Sequence, residues 1–199
     1  MRQILSMTKS SGKYFLLTAL AFLFPFFALA YLFFPGLPVL AHGVLLFNGW
    51  LFWTLVEYFW HRYKMHPGPT APRGRAFKEH RYHHEHPNDL QVRFHHRMLM
   101  LVGIVLLGAA AIRLDNYFTF IYGIYLGFVW FCYVHILLHR RWSAYFFPKL
   151  LNYHIHHHSK LPNVGYGVSV TWWDDIYGTI PPESSRISER VIELYFRGL

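Results

Sequence analysis

The sequence is poor in charge and almost free of cysteine. Only 15% of its 199 residues are Asp, Glu, Lys or Arg, whereas 54% are hydrophobic and 20% are aromatic. A soluble globular protein of this length needs more polar surface, so the composition predicts a membrane protein. The lone Cys132 excludes an intramolecular disulfide and argues against an iron–sulfur cluster, which several thiolates would have to hold.

Acidic residues are also few. Lys and Arg number 19 against 10 Asp and Glu, which gives a formal net charge of +9. A charge of this size can indicate nucleic-acid binding, but here the basic residues flank apolar runs instead of alternating with a polar surface. We therefore expect no nucleic acid partner and predict that the basic residues meet anionic lipid headgroups.

Four apolar runs predict an all-α integral membrane protein with about four transmembrane helices. The first run has a secretory signal peptide as its alternative, and the short third run could form a re-entrant hairpin with the fourth. By the positive-inside rule, the basic amino terminus, the loop 62–97 and the tail from residue 140 lie in the cytoplasm. The runs are 14–34, Val39–Trp60, 98–112 and Tyr117–Leu138, within a single membrane domain predicted for residues 1–199.

Histidine is the residue that the chain has in excess. The spacing His-x-x-His-His occurs twice, and on a helix residues three and four positions apart share a face. In the second copy, His156 points away from that face. Two further pairs stand at the ends of the second and fourth apolar runs. The four groups are His61 and His66; His80, His83 and His84; His135 and His139; and His154, His157 and His158.

These four groups predict a metal site. All of them fall at or just beyond the predicted cytoplasmic membrane boundary, so they can meet in space. Ten imidazoles exceed the four ligands of a structural zinc ion, which predicts two metal ions. Imidazole suits iron, zinc and copper alike, and haem would need only one or two of the histidines. A place beside the bilayer favours two iron ions that activate O2 next to a lipid C–H bond, with zinc as an alternative in purified protein.

One acidic residue lies inside the second apolar run. Glu57 stands one helical turn before His61, and an ionisable group at that depth is costly. We expect it to hydrogen-bond a ligand imidazole and orient the ring, with an ion pair to Arg62 or Lys64 as the alternative. Near the carboxyl terminus, aromatic residues are predicted to form an interfacial belt, with the lining of an acyl groove as the alternative; these are Trp172, Trp173 and Tyr177.

The complete histidine pattern resembles the fatty acid hydroxylase and sterol desaturase superfamily of integral membrane di-metal oxygenases. Within it, the chain is most similar to the fatty acid and ceramide 2-hydroxylases. That similarity includes His83 to Asp89 with Arg93 beyond, and Gly165 through Trp173 to Thr179. It extends over about residues 57–179.

The resemblance implies four membrane helices capped by a cytosolic helical region that holds two metal ions near the membrane face. The ten histidines of the four groups match its ligand positions, and His86 and Asp89 would lie just outside the ligands. It implies an O2-dependent di-iron hydroxylase, a non-haem monooxygenase that acts on membrane-lipid acyl chains, at the carbon next to the carbonyl. Electrons would come from a separate cytochrome b-type protein or ferredoxin with its reductase.

Two other functions compete with this interpretation. A carotenoid or sterol hydroxylase or desaturase could use the same scaffold. A membrane metal transporter or storage protein is more distant, because it would need polar groups continuing through the spans. Apart from Glu57, His42 and Asn48, the predicted spans lack such groups.

Overall fold

The computed structural model describes residues 39–87, 89, 94–114, 116–159, 161–182, 185 and 187–197. All regular structure in these residues is helical, which confirms the predicted all-α class for the described part of the chain. The predicted first span, 14–34, and Arg93 lie outside the described residues. The helices are α1 (Val39–Trp60), α2 (Arg75–Glu85), α3 (Phe94–Arg113), α4 (Asn116–Leu138), α5 (Pro148–Ser159), α6 (Trp172–Tyr177) and α7 (Glu189–Tyr195).

Two described helices are long and apolar enough to cross a membrane. They comprise Phe94–Arg113, with 20 residues, and Tyr117–Leu138, with 22. The third run was predicted as 98–112, but helix α3 begins at Phe94 and so reaches the length of a full crossing. The helix is therefore longer than the predicted run, and the choice between a full crossing and a re-entrant hairpin with α4 stays a prediction. Helix α1 has the bounds predicted for the second span, whereas the count of four spans stays a prediction.

The chain divides into two compact units, whose boundaries cut through long helices. The described part of the first unit comprises residues 39–53, 98–114 and 116–127. Within it, α1 and α4 approach each other at two glycines. A Cβ added at Gly49 would collide with the carbonyl oxygen of Phe120, and one at Gly123 with that of Leu46. Only glycine lets the two backbones come this close.

Polar groups of α1 are satisfied inside this first unit. The Nδ1 of His42 lies 3.0 Å from the hydroxyl of Thr119, and the amide of Asn48 donates to the carbonyl of Val44. Such internal partners are what an apolar environment demands of buried polar groups. These residues therefore act in helix packing, which gives no support to a polar transport path.

The second unit contains residues 54–97 and 128–197, as far as they are described. Its apolar core joins α4, α5 and α7, and histidines alternate with the core residues along α4 and α5. Packing of this core fixes the rotation of both helices, so it also fixes the direction in which their imidazoles point. The buried core residues are Val134, Leu138, Leu150, Leu151, Ile155, Val168, Tyr195 and Phe196.

The predicted aromatic belt near the carboxyl terminus is wrong for two of its three residues. Trp173 is buried and donates its indole N–H to the hydroxyl of Thr54 at 2.9 Å. Tyr177 stacks on Tyr58 with 5.2 Å between ring centroids. These rings dock α6 on the end of α1, and Trp172 alone is exposed.

The close approach of α1 and α4 yields a prediction. Gly123→Ala should lower the free energy of unfolding by about 1–3 kcal/mol, because the added methyl group forces the backbones apart. Gly43→Ala is the matched control, since a Cβ there meets nothing within 4 Å; it should be neutral or stabilise by up to about 1 kcal/mol. Thermal unfolding in detergent measures both. Equal shifts for the two variants would contradict the packing described for Gly123.

Candidate metal centre

The structure gathers nine of the ten predicted histidines into two groups. Each residue of a group offers one ring nitrogen, and the nitrogens of a group lie within 4.8 Å of one another. Such sets of convergent, buried imidazoles are typical of metal sites. The first group is His61, His66, His80 and His157; the second is His83, His135, His139, His154 and His158.

The tenth histidine, His84, lies beside both groups. Its Nε2 is 2.9 Å from that of His80 and 3.1 Å from that of His157, so it extends the first group. Its ring also stacks on His158 of the second group, at 4.2 Å between centroids. The two groups are therefore in direct contact, and His84 stands where they meet.

A widened turn brings His61 and His66 together. Residues five apart lie on different sides of an α-helix, but α1 continues into a π-helical turn, His61–Met65, closed by the bond from the N–H of His66 to the carbonyl of His61. The two ring centroids are then 5.3 Å apart. The His-x4-His spacing is thus explained by the π turn.

Helices α2 and α5 each contribute candidate ligands to both groups. On α2, His80 belongs to the first group and His83 to the second, and on α5 His157 belongs to the first and His154 to the second. The sequence pattern predicted one shared face for each triplet, and the structure divides that face between two sites. A triplet is therefore not the ligand set of one ion.

The carboxyl-terminal end of α4 supplies two histidines of the second group. His135 lies on the last turn of α4, and His139 is the first residue after the helix. The Nε2 of His139 lies 3.2 Å from that of His154. Behind it, the ring of Tyr195 stacks on His139 at 4.9 Å between centroids. Tyr195 fixes this ring, and neither spacing nor periodicity in the sequence indicated that contact.

The nitrogen distances fit shared cations better than hydrogen bonds. The Nε2 of His80 lies 2.8–2.9 Å from those of His61, His66 and His84. One ring nitrogen has either one proton or one lone pair, so it cannot satisfy three such contacts. Nitrogens bound at right angles to one ion, each about 2.1 Å from it, are about 3.0 Å apart. The residues of the first group therefore fit a metal ion.

The second group fits a metal ion for a different reason. Several of its buried ring nitrogens have no hydrogen-bond partner among the described residues, including both nitrogens of His83 and of His158. A buried polar atom without a partner costs free energy, and in native proteins such atoms mark an ion or a water molecule. Five imidazoles converging on one point indicate a cation rather than water.

Backbone carbonyls orient two rings of the first group. The Nδ1–H of His61 donates to the carbonyl of Tyr166 at 2.6 Å, and that of His157 donates to the carbonyl of Val164 at 2.9 Å. Each bond fixes the tautomer that leaves the Nε2 lone pair free for a metal. Segment 164–169 therefore acts as the orienting element of this group.

Glu57 holds this segment in place, which corrects its predicted role. Its carboxylate accepts hydrogen bonds from the backbone N–H groups of Val168 and Ser169, both at 2.8 Å, and from the Ser169 hydroxyl. The direct bond to a ligand imidazole and the ion pair with Arg62 or Lys64 are both wrong. Glu57 acts one step further from the ligands, through the loop that carries Tyr166.

Asp174 is a second anchor of the same loop, and the sequence interpretation missed it. Its carboxylate accepts from the N–H groups of Tyr166 and Gly167 and from the hydroxyl of Thr179, at 2.7–2.9 Å. Burial outweighs these bonds and raises the pKa of Asp174 to about 6. An aspartate directly after two tryptophans was the only available signal in the sequence.

The remaining histidines have other partners. His86 and Asp89, predicted to lie beside the ligands, instead bind Tyr82 at the exposed end of α2, which corrects that prediction. His156 faces away from the two groups, as predicted: it is buried, with its ring nitrogens on the carbonyls of Asn152 and Ser185. His156 thus links α5 to the chain that follows α6.

Burial keeps the clustered imidazoles neutral, which is the form that binds metal. It lowers the pKa of His66, His83 and His84 to about 4 and that of His139 to about 2. Loss of hydration is the largest cause for each, and charge repulsion from other histidines adds to it for His66, His83 and His139. The pKa values of His61, His80, His154, His157 and His158 are lowered as well.

The helical fold and the two adjacent imidazole groups define the class: a helical protein with a candidate two-metal centre. The model of the fatty acid hydroxylase family matches residues 46–179. The chain belongs to this family, which confirms the resemblance found in the sequence.

Several named relatives are similar to this chain. Dihydroceramide fatty acyl 2-hydroxylase FAH2 of Arabidopsis thaliana is 30% identical over 152 residues, which are 73% of this chain and 64% of that protein. Ceramide very long chain fatty acid hydroxylase SCS7 of Saccharomyces cerevisiae is 32% identical over 140 residues, 64% of this chain and 35% of that protein. The chain thus spans less than two thirds of either relative.

One solved structure is similar as well. It is described as full-length scs7p with only the hydroxylase domain visible, and the match covers 85% of this chain and 67% of that chain. The TM-score is 0.57 and the sequence identity is 26%.

The contrast between neighbouring histidines of α5 can be tested by metal content. His157→Ala should lower the metal bound per chain, because His157 lies in the first group and contacts His84. His156→Ala should keep the metal while lowering stability by about 1–3 kcal/mol, since it removes a buried ring and its hydrogen bonding with the carbonyls of Asn152 and Ser185. His95→Ala, an exposed histidine of α3, is the neutral control. Equal metal loss in His156→Ala and His157→Ala would contradict the assignment.

The lowered pKa values predict acid sensitivity of the metal-depleted protein. In the unfolded chain, histidine takes up a proton near pH 6.5, whereas the folded protein delays this to about pH 4 at His66, His83 and His84. Between these pH values the unfolded state binds more protons than the folded state. The contribution of these histidines to the free energy of unfolding is therefore fully present above pH 6.5 and is lost as the pH falls. These three histidines give about 4 kcal/mol per pH unit. Urea unfolding after chelation measures this slope; a flat profile between pH 6.5 and 5 would contradict it.

Proposed function

We propose that this protein is an O2-dependent hydroxylase of membrane-lipid acyl chains that introduces a hydroxyl group at the carbon next to the carbonyl. The observation that carries the proposal is the contact between two imidazole groups through His84. Two adjacent positions lined only by imidazoles suit redox-active ions such as iron, and a pair of such ions can supply chemistry that needs two electrons. The names of the relatives, fatty acyl 2-hydroxylase and fatty acid hydroxylase, support the same reaction and the acyl substrate.

The proposed cofactors are two iron ions, held by the nine histidines of the two groups together with His84, with zinc as the alternative in purified protein. When bound, a redox-active pair supplies the activation of O2 that attack on an unactivated C–H bond requires. The protein's own part is to keep the imidazoles neutral by burial and to orient their lone pairs. Val164 and Tyr166 do the latter through their carbonyls.

The proposed setting is a multi-pass membrane protein. The helices Phe94–Arg113 and Tyr117–Leu138 support it by length and composition. We propose that residues 1–199 form one domain with four crossings, and that the metal centre lies in a helical cap on the cytoplasmic side, where basic residues flank the apolar helices. Electrons would come from a separate cytochrome b-type protein or ferredoxin with its reductase.

Lipid analysis of expressing cells tests the proposed reaction. Under 18O2, wild-type protein should add one labelled oxygen to acyl chains, located by mass spectrometry at the carbon next to the carbonyl. The double variant His83→Ala/His157→Ala, which removes one ligand from each group, should abolish the product at unchanged protein level. His95→Ala should retain it. Labelled oxygen in sterols or carotenoids, or no labelled product, would overturn the proposal.

A further inference from the structure

A cavity of about 460 Å³ opens directly beside both imidazole groups. Most of its floor residues are buried, and they include histidines of each group, so a molecule inside it would touch both candidate metal positions. The volume falls within the range of small-molecule binding sites. The floor residues are His61 and His80 of the first group, His83 and His135 of the second, and Val168.

The rim of this cavity has two chemically different sides. One side is formed by α2, where Arg75 and Glu79 make an exposed ion pair of 2.6 Å. The other side is aromatic: Trp60 ends α1, and Phe131 lies on α4. Trp60 is 51% exposed. Apolar walls combined with a few polar groups are typical of ligand sites, and this lining suits an amphipathic ligand.

Helix α2 explains how the charged side is connected to the floor. Its residues Arg75, Glu79 and His83 are four positions apart and share one face. The rise of about 1.5 Å per residue places His83 about 12 Å along the axis from Arg75. The same helical face therefore changes from an ion pair at the rim to a candidate ligand imidazole at the floor.

We propose that this cavity binds the lipid substrate, with the polar part of the lipid on the charged side of the cavity and the apolar part on the aromatic side. The carbonyl end and headgroup lie toward Arg75 and Glu79, and the acyl chain lies along Trp60 and Phe131. The carbon between these two parts, next to the carbonyl, is then held over the imidazole floor. The inference rests on the proposed function and adds to it a physical origin for the position of hydroxylation.

The ion pair suits this task. It uses only the Nε of Arg75 and one oxygen of Glu79, so the terminal guanidinium nitrogens remain available as donors to a lipid carbonyl or hydroxyl. The aromatic side supplies a flat apolar wall for methylene groups. A purely apolar tunnel would instead let a chain slide, and oxidation would then spread over several carbons.

Photo-crosslinking tests the location independently of catalysis. The probe is a fatty acyl amide lipid with a diazirine in the acyl chain, added to the full chain in lipid nanodiscs. After irradiation, peptide mass spectrometry should place the label on Trp60 or Phe131. A second cavity, beside α5 and lined by Ile155, Pro181 and Ile187, offers the competing location. Label found there, or on neither wall, would overturn the proposal.

Two sets of variants test the two sides of the rim. Trp60→Ala should weaken crosslinking and raise KM for long-chain substrates about tenfold; Trp142→Ala, at an equally exposed tryptophan outside the cavity, is its control. Arg75→Ala/Glu79→Ala should raise KM about threefold and admit hydroxylation further along the chain. Its control is Arg81→Ala/Glu85→Ala, the other i,i+4 ion pair of α2, which does not line the cavity.

The outcomes separate this inference from the proposed function. If wild-type protein forms 2-hydroxy lipid while Trp60→Ala and the Arg75/Glu79 double variant behave like their controls, the cavity assignment is overturned and the reaction stands. If the label maps to Trp60 and Phe131 but no hydroxylated lipid forms, the cavity is supported as a lipid site and the proposed reaction fails. A changed hydroxylation position in the Arg75/Glu79 variant supports both.

Discussion

The crowding of neutral imidazoles away from water is the constraint on which the rest of this structure depends. Around His80, three ring nitrogens lie within 2.9 Å of its own, and no arrangement of protons satisfies all of these contacts. Protonation would relieve the missing hydrogen bonds but would bury several like charges together, which is more costly. A cation is the one partner that satisfies every lone pair at once, so the fold must hold the rings ready for it.

That requirement explains why so many buried polar contacts lie outside the ligands themselves. Glu57 and Asp174 both bind backbone N–H groups of the segment 166–169, and that segment in turn presents the Tyr166 carbonyl to His61. A loop without regular structure is thereby fixed by two carboxylates. The apolar core behind α4 and α5 does the same for the second group, where Tyr195 also stacks on His139. Ring orientation is thus set by the whole second unit.

The sequence allowed the elements and most of the candidate ligands to be predicted, because both depend on local periodicity. The bounds of α1 and the common face of His154, His157 and His158 follow from hydropathy and from helical spacing. What could not be predicted depends on contacts distant in sequence. The division of each triplet between two groups requires the packing of α2 against α5, and the partner of Glu57 lies more than a hundred residues away. The prediction of an aromatic belt was wrong for the same reason. The sequence alone suggests an interfacial Trp173, because its hydrogen-bond partner Thr54 is distant in the sequence.

The proposed lipid site would also explain how a small helical protein directs oxidation to one carbon of a long flexible chain. A methylene chain offers many nearly equivalent C–H bonds, so contacts along the chain alone cannot choose among them. The change from polar to apolar in the substrate occurs once, at the carbonyl, and the cavity has a matching change between the Arg75–Glu79 pair and Trp60. In the proposed complex the imidazole floor lies where the cavity changes from polar to apolar. Aligning the polar–apolar boundary of the lipid with that of the cavity would then fix which carbon lies over the imidazoles. The position of the reaction would then be set by where the apolar helix α1 ends and the polar helix α2 begins.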